Sequence, residues 1–201
     1  MNSIAKLNGL VLAGGQSRRM GTDKGLLDYH NQPQRFFIYD LLNEFCEQVY
    51  MSIREDQQEE FNSETLCIVD HNNHLGPFNG LMSAHVEHPD KAWLVLACDM
   101  PLIDRESISR LIEKRAILKN ATAYQASHQT FPEPLFAIWE PEGLSAAQDY
   151  LKNGDSCSPV KFLSQSTVEI VNPLSDQVLL NINDTEDYQS ILNKIKEKSE
   201  S

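Results

Sequence analysis

Apolar and polar positions along this chain fall into two alternating kinds of block. Short, almost wholly apolar runs read as strands buried on both faces: Leu10–Ala13, Val49–Ile53, Leu66–Val69, Trp93–Ala97, Ala121–Ala126, Leu135–Trp139 and Thr167–Val171. Between them lie stretches with helical spacing. Pro33 can open a helix with Phe37, Leu41 and Phe45 on one face. Gly76-Pro77 turns into a helix near 78–88, and Asp104 is a good N-cap for a helix carrying Ile108, Leu111, Ile112 and Leu118. A helix around 142–151, a short segment near Pro159–Leu163, and Val178–Ile182 leading to a terminal helix complete the pattern. No repeat, low-complexity tract or long linker interrupts it. Strands alternating with helices imply an α/β protein with a mostly parallel sheet in three layers. In such sheets ligands lie outside the carboxyl ends of the strands. That rule gathers the Gly14 loop, Ser52, Asp70 and Asp99 at one edge.

Composition narrows the class. A chain of 201 residues is long enough to bury a substantial core as one domain. No segment approaches the roughly 20 apolar residues of a membrane span. The start, Met1-Asn-Ser-Ile-Ala-Lys6, lacks a basic stretch followed by an apolar core, so a cytoplasmic location is expected. Cys46, Cys67, Cys98 and Cys157 form no C-x-x-C pair and read as free, mostly buried thiols rather than a zinc site or disulfide framework. The net charge of −12 argues against a nucleic-acid or anionic-membrane surface. Its distribution says more. Residues 1–35 carry Lys6, Arg18, Arg19, Lys24 and Arg35 against Asp23 and Asp28, a balance of +3, which leaves −15 for the remainder.

That basic island coincides with the segment Leu10-Val-Leu-Ala-Gly-Gly-Gln-Ser-Arg-Arg-Met-Gly-Thr-Asp-Lys24. An apolar strand breaks at Gly14-Gly15 into a loop holding Arg18, Arg19 and Lys24. Glycines let backbone N–H groups approach a ligand, and a concavity of such groups favours anions. Three cations beside it suggest a polyphosphate; the alternative is a glycine turn with solvated basic residues. Gly21 is followed by Thr22-Asp23-Lys24, so the P-loop pattern fails, and the dinucleotide fingerprint G-x-G-x-x-G is absent.

Three further clusters bear chemistry. The run from Trp93 ends at Asp99-Met-Pro101, and a carboxylate there is costly unless paired, hydrogen-bonded or bound to a cation. Beside a triphosphate that cation would be Mg2+, held by one or two carboxylates and phosphate oxygens; otherwise Asp99 caps the turn before Pro101. Asp70 ends another strand-like run and could accept from a guanine edge or merely cap a turn. His71 and His74 lie in a polar loop with no third ligand. Alternation sends Asn181 and Asn183 to one side of a strand, where paired amides meet a polar ligand or the strand simply turns into a helix capped by Asp184. No nucleophile–histidine–acid arrangement stands out. None is needed where a phosphate monoester attacks, because it carries about −1.5 to −2 charge near neutral pH.

Taken in series, these motifs resemble the molybdenum cofactor guanylyltransferases, within the wider nucleotidyltransferase group of Rossmann-like fold. The resemblance rests on Leu12-Ala-Gly-Gly15 with Arg19-Met-Gly21-x-Asp23-Lys24, Gly76-Pro77-x-x-Gly80, Asp99-x-Pro101, Pro134-Leu135 and Leu180-Asn-x-Asn183, in the family's order over nearly the whole chain. It implies one nucleotidyltransferase domain over 1–201, with 190–201 a helical tail. It also implies transfer of GMP from GTP to the terminal phosphate of molybdenum-carrying molybdopterin, with Mg2+ as cofactor. On this resemblance Leu12, Ala13, Gly14, Gly15, Ser52 and Asp70 line the GTP site. Arg19, Lys24 and Asp99 are catalytic, Lys24 on phosphates and Asp99 on the metal, while Asn181 and Asn183 face the pterin. GTP and molybdopterin are the implied small-molecule partners, with cofactor insertion or delivery proteins beyond them; neither nucleic acid nor membrane is expected.

The chain departs from the family at Ser52, where Asn is frequent, at Asn183-Asp184-Thr185-Glu186, and at Phe78-Asn79. Cytidylyltransferase relatives usually read Leu-Ala-Ala-Gly, so Gly14 favours GTP. A cytidylyltransferase, another nucleotidyltransferase with a different phosphorylated acceptor, and a non-catalytic GTP- or cofactor-binding module are the alternatives.

Overall fold

The computed structural model describes residues 6–15, 24–71, 76–154, 156–182, 187–192 and 195. Seven strands form one sheet: β1 (Leu7–Leu12), β2 (Val49–Ile53), β3 (Cys67–Val69), β4 (Ala92–Ala97), β5 (Ala121–Tyr124), β6 (Phe136–Trp139) and β7 (Val168–Val171). Their order is β3-β2-β1-β4-β6-β5-β7. Helices α1 (Gln34–Asn43) and α3 (Arg105–Glu113) cover one face; α2 (Phe78–Glu87), α4 (Pro141–Lys152) and α5 (Pro159–Ser164) cover the other. All six residues of β4 are buried, as a central strand with both faces covered requires.

Alternation of side chains along each strand divides the core in two. Val11, Met51, Leu94 and Leu96 meet Ile38 and Leu42 of α1 and Ile108 of α3. Leu10, Trp93, Val95 and Trp139 meet Phe78 and Leu81 of α2, Leu144 of α4 and Phe162 of α5. A third cluster, Tyr29, Leu102, Ile182 and Ile191, ties the C-terminal segment to the turn after β4. Among the described residues no helix is long and apolar enough to cross a membrane.

Several expectations shift. β1 starts at Leu7 rather than Leu10, because buried Asn8 hides the strand from an apolar count. On α1 the buried face is Ile38, Leu41 and Leu42; Phe37 stacks on the His30 ring instead, at 3.7 Å between centroids, and Phe45 lies past the helix end. Phe36 through Leu42 is apolar at nearly every place, so spacing alone does not choose a face. Asp104 does cap α3, accepting from the Ser107 N–H at 2.9 Å, but the helix stops at Glu113 and Leu118 is 95% exposed.

The sheet is mostly parallel, as expected, with four parallel pairings; the exception is β6, which runs antiparallel to both β4 and β5. Residues 125–135 contain Pro132 and Pro134 and form no helix. Parallel neighbours need a crossover, usually helical, so this connection returns the chain in the opposite sense. The segment 178–182 is no strand either: Asp176–Leu179 is a 3-10 turn, and Asn181 is exposed in irregular backbone. The strand argument for a shared side of Asn181 and Asn183 therefore fails, and Asn183 with Asp184 lies outside the described residues. Of the thiols, Cys98 is buried, Cys46 and Cys67 are half-buried, and Cys157 is exposed.

Candidate active site

β2 and β3 follow on one side of β1, and β4 on the other, so β1 and β4 flank the point where strand order reverses. Crevices for ligands open there, beyond the strand carboxyl ends. The pairing registers align the groups that matter. Leu12 pairs with Ser52 and with Ala97, Ile53 with Val69, and Leu96 with Phe136. Arg54 directly follows β2 and Asp70 directly follows β3, while Gly14 and Asp99 each stand two places past the ends of β1 and β4, so these four lie beyond the carboxyl ends of adjacent strands.

The row is tied together by contacts. Arg54 Nη1 donates to the Gly14 carbonyl at 2.9 Å, and the Gln57 amide donates to the Ala13 carbonyl at 3.4 Å. The Ala13 N–H donates to the Ser52 carbonyl at 3.0 Å. These bonds fix the glycine turn. Ser52 Oγ donates to Asp70 Oδ1 at 2.7 Å. A Cβ on Gly14 would lie 2.9 Å from Asp70 Oδ2, so the missing side chain leaves the approach to that carboxyl open. A Cβ on Gly80 would lie 2.1 Å from Ser52 Oγ, which explains the glycine ending Gly76-Pro77-x-x-Gly80. Burial pushes the Asp70 carboxyl above the usual carboxylate range, against hydrogen bonds from Ser52 and Asn79 that favour its charged form.

On the other side of Gly14, Lys24 Nζ lies 3.5 Å from Asp99 Oδ2 and also donates to the Ile182 carbonyl. The Ile182 N–H donates to the Asp99 carbonyl at 2.8 Å, so the C-terminal segment clamps both groups. Among the described residues Asp99 Oδ1 is buried without a hydrogen-bond partner. Burial pushes the Asp99 carboxyl up, with Lys24 opposing. A buried carboxylate oxygen with no partner among the described residues, one strand over from the glycine turn, fits a divalent cation. Among the described residues no group of three or more His, Cys, Asp or Glu could hold a metal alone. The fit is therefore to an ion that draws most of its ligands from phosphate and water, as Mg2+ does.

Gly14 and Asp99 are thus next-strand neighbours, with Ser52, Asp70 and Lys24 around them. Leu12 is half-buried, Ala13 buried, and Gly15 exposed at the mouth. Arg18, Arg19 and His74 lie outside the described residues. His71 is 3.9 Å from Glu87 and its backbone N–H donates to Ser83 Oγ. Two cations counted in the basic island serve elsewhere. Lys6 pairs with Glu47; Arg35 is buried, pairs with Glu60 at 2.7 Å and lies against the Phe36 and Phe61 rings. Sequence reasoning missed Arg54 and Gln57. Arg54 follows β2 directly, so the rule that selected Ser52 could have found it.

A mixed sheet with a glycine turn, a lysine and an orphan carboxylate at its switch point defines an α/β enzyme of the nucleotide-transferring class. The match agrees: residues 9–170 fit the MobA-like NTP transferase domain, and the chain belongs to that family. A molybdenum cofactor biosynthesis bifunctional protein of Synechocystis sp. is 38% identical over 190 residues. That alignment covers 94% of this chain but only 54% of the relative, so the chain spans about half its length. A molybdenum cofactor guanylyltransferase of Shewanella piezotolerans is 26% identical over 92% of this chain and 91% of its own. Among solved structures, the molybdopterin-guanine dinucleotide biosynthesis protein A of Archaeoglobus fulgidus superimposes with a TM-score of 0.76 at 20% identity, covering 94% and 99% of the two chains. A 4-diphosphocytidyl-2C-methyl-D-erythritol synthase of Anaerococcus prevotii gives 0.70 at 10%, covering 96% and 100%. Such likenesses establish the fold and leave the choice of base to the site.

Proposed function

We propose that this chain transfers GMP from GTP to the terminal phosphate of molybdenum-loaded molybdopterin and releases pyrophosphate. The family match and the names of the relatives support the reaction class. The carrying observation is the Lys24–Asp99 pair, 3.5 Å apart, one strand over from the Gly14 turn.

Leu12, Ala13, Gly14, Gly15, Ser52 and Asp70 take the guanosine on the β1–β3 side. Gly14, rather than alanine, leaves room for the larger base against Asp70. Lys24 turns from the Ile182 carbonyl to the phosphates, and Arg19 neutralises charge on the departing pyrophosphate. The acceptor enters over β6 and β5, with Asn181 and Asn183 on the pterin side. Its phosphate oxygen forms a bond to the α-phosphorus; the bond from that phosphorus to the bridging oxygen breaks, and pyrophosphate leaves with the electron pair. A phosphate monoester needs no general base, so the protein supplies position and charge. Mg2+, held by Asp99 and phosphate oxygens, would neutralise charge on the reacting phosphates. On this reading residues 1–201 act as one nucleotidyltransferase domain in the cytoplasm.

Pyrophosphate release measured with four nucleotides and several phosphorylated acceptors tests the proposal. It requires turnover that depends on GTP, on a divalent ion and on molybdopterin together. Preference for CTP overturns the guanine assignment. GTP binding without turnover for any acceptor overturns the enzyme reading in favour of a cofactor-binding module.

A further inference from the structure

We propose that Arg54 reads the base, donating to guanine O6 while Asp70 accepts from the N–H groups beside it; this rests on the reading that seats guanine between Gly14 and Asp70. Arg54 follows β2 directly, and β2 lies between the strands that carry Gly14 and Asp70. The Asp70 N–H donates to the Ile53 carbonyl at 2.8 Å, which ties the two strand ends together. A Cβ on Gly14 would lie 2.9 Å from Asp70 Oδ2 and 3.6 Å from Arg54 Cγ. The place that a side chain at residue 14 would fill is therefore bordered by a carboxylate and by the stem of a guanidinium.

That guanidinium is already oriented. Nε and Nη2 donate to the two Asp56 carboxylate oxygens at 3.0 and 3.3 Å, and Nη1 donates to the Gly14 carbonyl at 2.9 Å. The Arg54 N–H donates to Gln57 Oε1 at 3.0 Å, and the Gln57 amide reaches the Ala13 carbonyl at 3.4 Å. Asp56 is exposed, and an exposed ion pair adds little stability; what it supplies is a fixed direction for the fork. A fork held before a ligand arrives has little rotamer entropy left to lose on binding. Arginine carries five N–H donors. Three have partners among the described residues, which leaves one on Nη1 and one on Nη2. The side chain is 24% exposed, so a ligand can reach it.

The chemistry of the two side chains matches one base. Along a single edge guanine presents its N2 amine, its N1–H and the O6 acceptor. Ser52 Oγ holds Asp70 Oδ1 at 2.7 Å, and Oδ2 is the oxygen on the Gly14 side. A carboxylate there accepts from the amine and N1–H, and the remaining guanidinium donors meet O6. Adenine would turn its N6 amine toward Arg54, and cytosine its N4 amine. Donor would then face donor, a penalty that a purely apolar pocket does not impose. Arg54 is thus a specificity residue: it touches the base and takes no part in the transfer at phosphorus.

Calorimetric titration of wild type and Arg54→Met with GTP, ITP, 6-thio-GTP and CTP tests the assignment, with far-ultraviolet circular dichroism as the control for fold. ITP keeps O6 and lacks the 2-amine; 6-thio-GTP keeps the amine and N1–H and replaces O6 by sulfur, a weaker acceptor. Arg54→Met should lower the affinity for GTP and ITP by about 10- to 100-fold. The affinity for 6-thio-GTP should fall far less, and that for CTP should not fall. Should Arg54→Met not fold, Arg54→Gln, which keeps an amide on a shorter stem, carries the test with the same expectation. Equal losses for GTP, 6-thio-GTP and CTP overturn the proposal and leave Arg54 a clamp on the Gly14 turn. Unchanged GTP affinity in a folded variant overturns it as well. Wild type that binds CTP as tightly as GTP overturns the guanine reading itself, whatever Arg54 does.

Discussion

Replacing Gly14 by alanine adds one methyl group at the place proposed for the base. The new Cβ would stand 2.9 Å from Asp70 Oδ2 and 3.5–3.6 Å from the Arg54 backbone nitrogen and Cγ. The last two are ordinary contacts; the first is too short. Asp70 cannot swing freely, since Ser52 Oγ holds its other oxygen at 2.7 Å and Asn79 also bonds to the carboxyl. Gly14 has no positive φ, so alanine needs no strained backbone there. The cost to folding should stay below about 1 kcal/mol. The cost to the ligand is larger, because the methyl occupies space that guanine is proposed to fill; one methyl in a fitted pocket is worth about 1–3 kcal/mol, or about 10- to 200-fold. The assay is kcat/KM for GTP and for CTP in pyrophosphate release, with Tm measured alongside. The GTP value should fall by that factor, the CTP value much less, and Tm should barely move. An unchanged GTP-to-CTP ratio would refute the placement of the base at Gly14.

Gly80→Ala should destabilise the fold by about 1–3 kcal/mol through overpacking, since its Cβ meets Ser52 Oγ at 2.1 Å; Gly80→Ala with Ser52→Gly should recover most of that in denaturant melts. Lys24→Ala and Asp99→Asn should each lower turnover by about 10²–10³-fold, the scale of one preorganised electrostatic contact. Asp99→Asn should also raise Tm of the ligand-free, metal-free protein at neutral pH. The sign follows from linkage: a carboxyl whose pKa is raised on folding favours the fold below its unfolded pKa, about 4, and loses that contribution as pH rises through the folded value. The Tm gain should therefore shrink as pH falls toward that range. Arg35→Ala should cost about 1–3 kcal/mol through lost ring contacts and its pairing with Glu60, leaving KM for GTP unchanged, because Arg35 does not belong to the phosphate loop.

How far the chain could be read before its structure was known depended on where single residues dominate. Strands such as Val49–Ile53 and the run from Trp93 declared themselves, because a strand covered on both faces is apolar at nearly every position; buried Asn8 is the exception that shortened the reading of β1. Their carboxyl ends then delivered Gly14, Ser52, Asp70 and Asp99 to one edge. Strand direction was not legible. Nothing in Phe136–Trp139 itself says antiparallel; only the helix-free loop before it does. The helix faces of α1 were ambiguous where aromatic and aliphatic residues crowd together. Counting charges also misled at Arg35, whose guanidinium is buried against two rings rather than offered to a ligand.

Where a metal–nucleotide complex binds decides the role of Asp99 and Gly14 most directly. A crystal soaked with GTP and Mn2+ should show an anomalous peak against Asp99 Oδ1, with the triphosphate reaching Lys24 and guanine beside Gly14 and Asp70. A peak away from Asp99, or a nucleotide seated at the opposite edge of the sheet, would contradict it.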